Sequence, residues 1–65
     1  MRNRNFIEFT KYHDKLNMLF DIDDIRGISE QPGNCTKLFF YSDIKTNEII
    51  AHDYKYVIQR LKELR

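Results

Sequence analysis

Three aspartates crowd the segment Asp21-Ile22-Asp23-Asp24, each of two histidines is followed by a carboxylate (His13-Asp14 and His52-Asp53), and a single cysteine, Cys35, follows a Gly-Asn pair. These are the residues with the means to do chemistry. Clustered carboxylates suit a hard divalent cation, which wants several oxygen ligands. A carboxylate beside a histidine can orient a general base, and a thiol near a histidine can be activated as a nucleophile. The spacing argues against each. No glycine at the offset of a calcium loop and no closing glutamate come after the aspartates, so they read as an ordinary acidic corner between strands. Adjacent residues on a strand point to opposite faces, so Asp14 and Asp53 are badly placed to orient the rings before them. They read instead as a turn residue and a helix cap. Cys35 has no nucleophile motif around it and reads as a structural thiol. Two histidines and one cysteine cannot assemble a four-ligand zinc site, and two glycines leave no phosphate-cradling loop. The expectation is a protein that is not an enzyme, with no cofactor and no metal.

The elements that would position these residues are legible from periodicity. Tyr54, Val57, Ile58, Leu61 and Leu64 fall on one stripe of a helix that Asp53 caps. Everything before it reads as strands. Phe6 to Tyr12 alternates with Ile7 and Phe9 inward; His13-Asp14-Lys15 is a turn; Leu16, Met18, Phe20 and Ile22 then alternate with Asn17, Leu19 and Asp21, completing a hairpin. Ile25 to Ser29 is a short third strand in which Gly27 marks a bulge. Gln31-Pro32-Gly33-Asn34 suits a type II turn, because proline presets φ and glycine tolerates a positive one. Thr36 to Tyr41 forms a fourth strand, with Leu38 and Phe40 on one face and Phe39 and Tyr41 on the other. A polar loop, Ser42 to Asn47, leads to a fifth strand, Glu48 to His52. The predicted class is α+β: a curved antiparallel sheet of about five short strands, then one C-terminal amphipathic helix packed on one face. Residues 1–65 form one domain, with 1–5 as an N-terminal tail.

A chain of 65 residues buries only about 60% of the surface its unfolded form exposes, so its core is small. A lone cysteine permits no internal disulfide, which leaves self-association as the remaining supplement to stability and makes a homo-oligomer an open expectation. The net charge of +1 implies neither nucleic acid nor membrane. Its distribution is uneven, with an acidic middle between basic ends. No apolar run approaches the roughly 18 residues of a membrane span, and the start Met-Arg-Asn-Arg-Asn-Phe does not lead into a signal-peptide core, so a cytoplasmic protein is expected. An unpaired cysteine agrees with a reducing compartment. Heavy use of Ile, Lys, Asn, Phe and Tyr points to an AT-rich coding sequence, as in a low-GC bacterium, its phage or a plasmid.

The apolar side chains outnumber what the helix can cover. Tyr12, Leu19, Phe39 and Tyr41 cannot all pack beneath three helical turns, and aromatic surface left on a sheet usually marks an interface. This surplus points to a small non-catalytic interaction protein. It would bind a macromolecular partner, a protein, as a regulator or inhibitor, in the manner of phage or plasmid accessory and anti-defence proteins. Two alternatives stay open. Arg2, Arg4, Lys55, Arg60 and Lys62 would serve a nucleic-acid-binding transcriptional regulator, and Arg26, Lys37 or His52 would stand at the rim of a small anionic ligand enclosed by an oligomer.

The run Ile7-Glu8-Phe9-Thr10-Lys11 resembles the I-E-L-T-[KR] opening of the small FlbD-type flagellar proteins. Ile28-Ser29-Glu30-Gln31-Pro32 and Leu38 resemble that family's third strand, turn proline and fourth strand, and Tyr56-Val57-Ile58 its short C-terminal helix. The likeness covers nearly the whole chain; the family's first-turn Asn-Gly is replaced by His13-Asp14, and the last hairpin is longer. A second likeness, to LytTR-type DNA-binding domains, involves only Ile22-Asp23-Asp24-Ile25 and the residues after it. Both imply strands and no catalytic residue.

Overall fold

The structure, a computed structural model, describes residues 5–64. Five short antiparallel strands, β1 (Phe6–Thr10), β2 (Asn17–Asp21), β3 (Ile25–Gln31), β4 (Cys35–Phe40) and β5 (Asn47–Ile50), precede one C-terminal helix, α1 (Tyr54–Leu64). The chain is therefore α+β, as its periodicities require. The strands form two ladders rather than one continuous sheet: a β1–β2 ribbon and a three-stranded sheet with β4 at its centre. The two meet at one corner, where Tyr12 N–H donates to the Ile49 carbonyl at 2.9 Å and Ala51 N–H to the Thr10 carbonyl at 2.8 Å. Two-stranded ribbons twist more strongly than wider sheets, which carries β1 away from β5 after this brief junction.

Local chemistry sets the turns. The first loop has four residues, Tyr12 to Lys15, closed by Lys11 N–H to the Leu16 carbonyl at 2.9 Å and Lys15 N–H to the Lys11 carbonyl at 3.1 Å. Lys15 takes a φ of 64° to close it, a conformation uncommon outside glycine and asparagine. Asp14 accepts the Leu16 N–H at 3.0 Å and pairs with Lys11 Nζ at 3.0 Å, and these two contacts, in that order, hold its carboxyl below the usual range. Between β3 and β4, Gly33 has a φ of 81° and Asn34 one of 60°, which supplies the positive φ that the Pro-Gly pair promised. The register of β3 against β4 shifts between Ile25 and Gly27, placing the bulge at Arg26.

Inward-facing residues from every strand meet in one core. Ile7, Phe9, Phe20, Ile22, Ile25, Leu38 and Ile50 pack with Val57 of the helix. Each such burial stabilises by about 1.5–3 kcal/mol before the cost of ordering the chain. The helix lies on β3 and β4. Asp53 starts it: the carboxylate accepts Lys55 N–H at 3.1 Å and the carbonyl accepts Val57 N–H at 3.0 Å. Of the predicted stripe only Val57 is fully buried, whereas Leu61 and Leu64 flank the core partly covered.

Two expectations need correcting. The second strand is expected to run from Leu16 through Ile22, but Ile22 begins a single 3-10 turn (Ile22–Asp24), and of the row Leu16, Met18, Phe20 and Ile22 only Phe20 and Ile22 are buried. Leu16 is 61% and Met18 45% exposed, because this end of the row runs past the part of the ribbon that the second sheet and the helix cover. Of the expected tail, residues 1–4 lie outside the described residues. Asn5 is held: its carbonyl accepts Ile22 N–H at 3.0 Å, and its side-chain amide donates to the Leu64 carbonyl at 3.4 Å.

Candidate interaction surface

Most of the residues with chemical potential are held in structural contacts. Asp21 accepts the Asp23 N–H at 3.0 Å and so caps the 3-10 turn. Asp24 accepts the Ser42 N–H at 2.8 Å and the Ser42 hydroxyl at 2.7 Å, tying the end of β4 to the corner before β3. Cys35 is buried, its thiol 3.4 Å from the Gly33 carbonyl. Among the described residues, no three His, Cys, Asp or Glu side chains gather as metal ligands do.

His52, half-buried, is held by contacts from three elements. Its ring stacks on Tyr56 with centroids 5.4 Å apart and tilts against Phe9 at 5.2 Å. Nε2 accepts the Thr10 N–H at 3.0 Å, and the His52 carbonyl accepts the hydroxyl of fully buried Thr36 at 2.8 Å. A ring nitrogen that accepts a backbone N–H must be unprotonated, and burial accordingly lowers the pKa from its ordinary 6.5. His52 thus clamps β1, β4 and α1 together as a neutral acceptor.

The four side chains expected to meet a partner are spread over two outer faces. Tyr12, 50% exposed, stands at the corner between the ladders, and Leu19, 62% exposed, lies on the outer face of the ribbon opposite Glu8. Tyr41 is 63% exposed beyond β4, while Phe39 on the outer face of β4 is half-buried under the Arg26 guanidinium, 5.5 Å from its ring. Of the eight exposed large apolar side chains among the described residues, five (Phe6, Tyr12, Leu16, Met18 and Leu19) belong to the β1–β2 hairpin, which makes the hairpin the main candidate surface.

Sequence reasoning missed Leu16 and Met18. The signal was present, since the inner row of β2 is apolar from Leu16 onward while that of β1 ends in Lys11, so the second row is longer than its mate. The exposed end opens onto a cleft of about 310 Å³ between β2 and the ends of β4 and β5. Its walls include Met18, Leu19, and the stacked rings of Phe20 and Phe40, 5.9 Å apart at 7°. Among the described residues, Asp21, Asp24 and Glu48 line it and no lysine or arginine does, so the cleft is anionic.

The edge of β2 beside this cleft has a definite polarity. Lys11 N–H bonds to the Leu16 carbonyl and Ile22 N–H to the Asn5 carbonyl. Antiparallel pairs alternate between hydrogen-bonded and non-hydrogen-bonded, so Met18 and Phe20 direct their peptide groups toward β1 and Asn17 and Leu19 direct theirs outward.

The basic residues have a different setting. Lys55 and Lys62 are exposed on α1, and Arg60 pairs with Glu63 at 3.0 Å. Arg2 and Arg4 lie outside the described residues. Arg26 and Lys62 flank a second groove of about 240 Å³ between β3 and α1, floored by Ile25, Ile28, Ile58 and Leu61. Arg26 donates to the Phe40 carbonyl at 3.3 Å, Lys37 is half-buried on β4, and His52 lies in the connection from β5 to α1, so the three residues named for an anionic ligand occupy three separate places. No helix among the described residues is long and apolar enough to cross a membrane. Comparison with family models, with curated proteins and with solved structures gave no match.

Proposed function

We propose that this chain is a non-catalytic interaction protein, a regulator or inhibitor that binds another protein through its β1–β2 hairpin. The observation that carries this reading is the concentration of exposed apolar side chains on one two-stranded ribbon with an outward-facing strand edge. Such ribbons have two ways to bind: apolar side chains fill pockets in a partner, and edge peptides add to its sheet. The occupation of His52, Cys35, Asp21 and Asp24 in structural contacts supports a role without catalysis. A cytoplasmic phage- or plasmid-encoded accessory protein, including one that blocks a host defence enzyme, fits the size and composition. The FlbD-type resemblance agrees with the reading in offering no catalytic residue.

Capture from the source cell with matched baits tests it. A partner held by the wild type and by a Tyr41→Ser chain, but lost with Tyr12→Ser plus Leu19→Ser, supports the hairpin. Equal capture by all three baits would falsify it, provided circular dichroism shows each folded.

A second reading rests on the exposed Lys55 and Lys62 and on Arg26 at the neighbouring groove, which suit an anionic partner such as nucleic acid. Duplex binding at low salt that collapses as salt rises supports it, and no binding at low salt removes it.

A further inference from the structure

Building on the hairpin reading, we infer that the outward edge of β2 is taken not by the protein partner but by β2 of a second copy of this chain, antiparallel, across a two-fold axis at Leu19, which leaves the exposed Phe6 and Tyr12 to the partner. On that axis the two Leu19 residues exchange both N–H to carbonyl bonds, using peptide groups that the hairpin's own ladder leaves pointing outward. Met18 then faces Phe20 of the second copy, and the row of Met18, Phe20 and Phe40 continues across the junction. The pairing covers what the single chain exposes: Leu19, 62% exposed, meets its own copy on the outer face, and Met18, 45% exposed, is covered on the inner one.

Between two copies of this chain, charge favours the antiparallel sense. The hairpin tip carries Lys15, and the far end of β2 carries Asp21, Asp23 and Asp24. The antiparallel sense brings the tip, where Lys11 and Lys15 outnumber Asp14, toward the acidic end of the other chain's β2, whereas parallel pairing would align acids with acids. The edge carries neither proline nor lysine between Asn17 and Asp21, two of the residues that keep strands apart. The interface is isologous and closes at two copies.

Sedimentation equilibrium of the full chain over a wide concentration range should reach twice the 8.0 kDa of one chain. Leu19→Pro should return the mass to a single chain with unchanged circular dichroism, because the N–H it deletes points outward and not into the β1–β2 ladder, and the axial side chain goes with it. Tyr41→Ser should stay double. In Leu19→Cys, mild oxidation should link the copies, since an axial residue faces itself at a Cα separation of about 5.5 Å, within disulfide reach. Asn17→Cys should link far more slowly, as its counterpart is Asp21. A wild type of single mass at every concentration overturns the inference, as does linkage of Asn17→Cys as fast as Leu19→Cys. If Leu19→Pro does not fold, the cysteine pair decides. A single-mass chain whose partner capture still depends on Tyr12 and Leu19 sinks the dimer and spares the proposed function; a dimer with unaltered capture by every bait does the reverse.

Discussion

The β1–β2 ribbon and the β3–β4–β5 sheet are built from the same kind of material, short strands that alternate apolar with polar side chains. Their fates differ. In the three-stranded sheet the inner row is closed over: Leu38 and Ile50 are wholly buried, and Val57 of the helix packs with them. In the ribbon the inner row is buried only at one end, where Phe20 meets Phe9 and Phe40, and Leu16 and Met18 continue it into solvent. Alternation assigns a side chain to a face, but burial depends on whether another layer lies over that face. An eleven-residue helix spans only about 16 Å, and it lies on β3 and β4. The ribbon is thereby left with apolar surface free to meet another molecule.

The sharpest way to break this contrast is to truncate one residue from each row. Leu38→Ala should cost about 2–5 kcal/mol, because it removes packed methyl groups and leaves a cavity in a wholly buried site. Leu16→Ala should change stability by no more than about 0.5 kcal/mol in the isolated chain. Urea unfolding measures both, and equal losses would mean that the ribbon tip is as much core as the sheet.

A smaller effect is expected where the two regions are stitched together. Thr36→Val keeps the shape of a buried side chain but leaves the His52 carbonyl without its donor, a loss of about 1–3 kcal/mol. A thermal melt indistinguishable from wild type would show that this bond does not hold the junction.

Acidification probes the same junction more gently. The unfolded imidazole of His52 takes up its proton near pH 6.5, whereas burial lowers that pKa in the folded chain. Below about pH 6.5 the unfolded state therefore binds more protons, and stability falls as the pH drops; above it both states are neutral and His52 adds no slope. Protonation would also abolish the acceptor that Thr10 N–H uses, so amide exchange at Thr10 should quicken on acidification. A His52→Gln chain that keeps the full stability slope between about pH 7 and pH 5 would assign the effect elsewhere.

Much of this architecture is legible in the chain for identifiable reasons. Asp53 before an apolar stripe marks a helix start, Pro32-Gly33 marks a turn, and Ile7 with Phe9 marks an inward face, because each depends on neighbours within a few residues. Leu19 is legible as surface for the same reason, lying opposite in phase to Phe20. What is not legible requires distant partners. The division into two ladders depends on where β1 meets β5, some 40 residues away. Periodicity puts Phe39 among the exposed residues, yet the bulge at Arg26 brings a guanidinium over it.

The order of five strands and a helix, their turns and the facing of each side chain were written in the local pattern of residues, since backbone geometry has periods that a few neighbours reveal. Which faces are covered, that His52 is held as a neutral clamp, and that the end of β2 stands open beside an anionic cleft were decided only when segments far apart in the chain came together. Burial and hydrogen bonding are properties of the completed packing, and no single segment carries them.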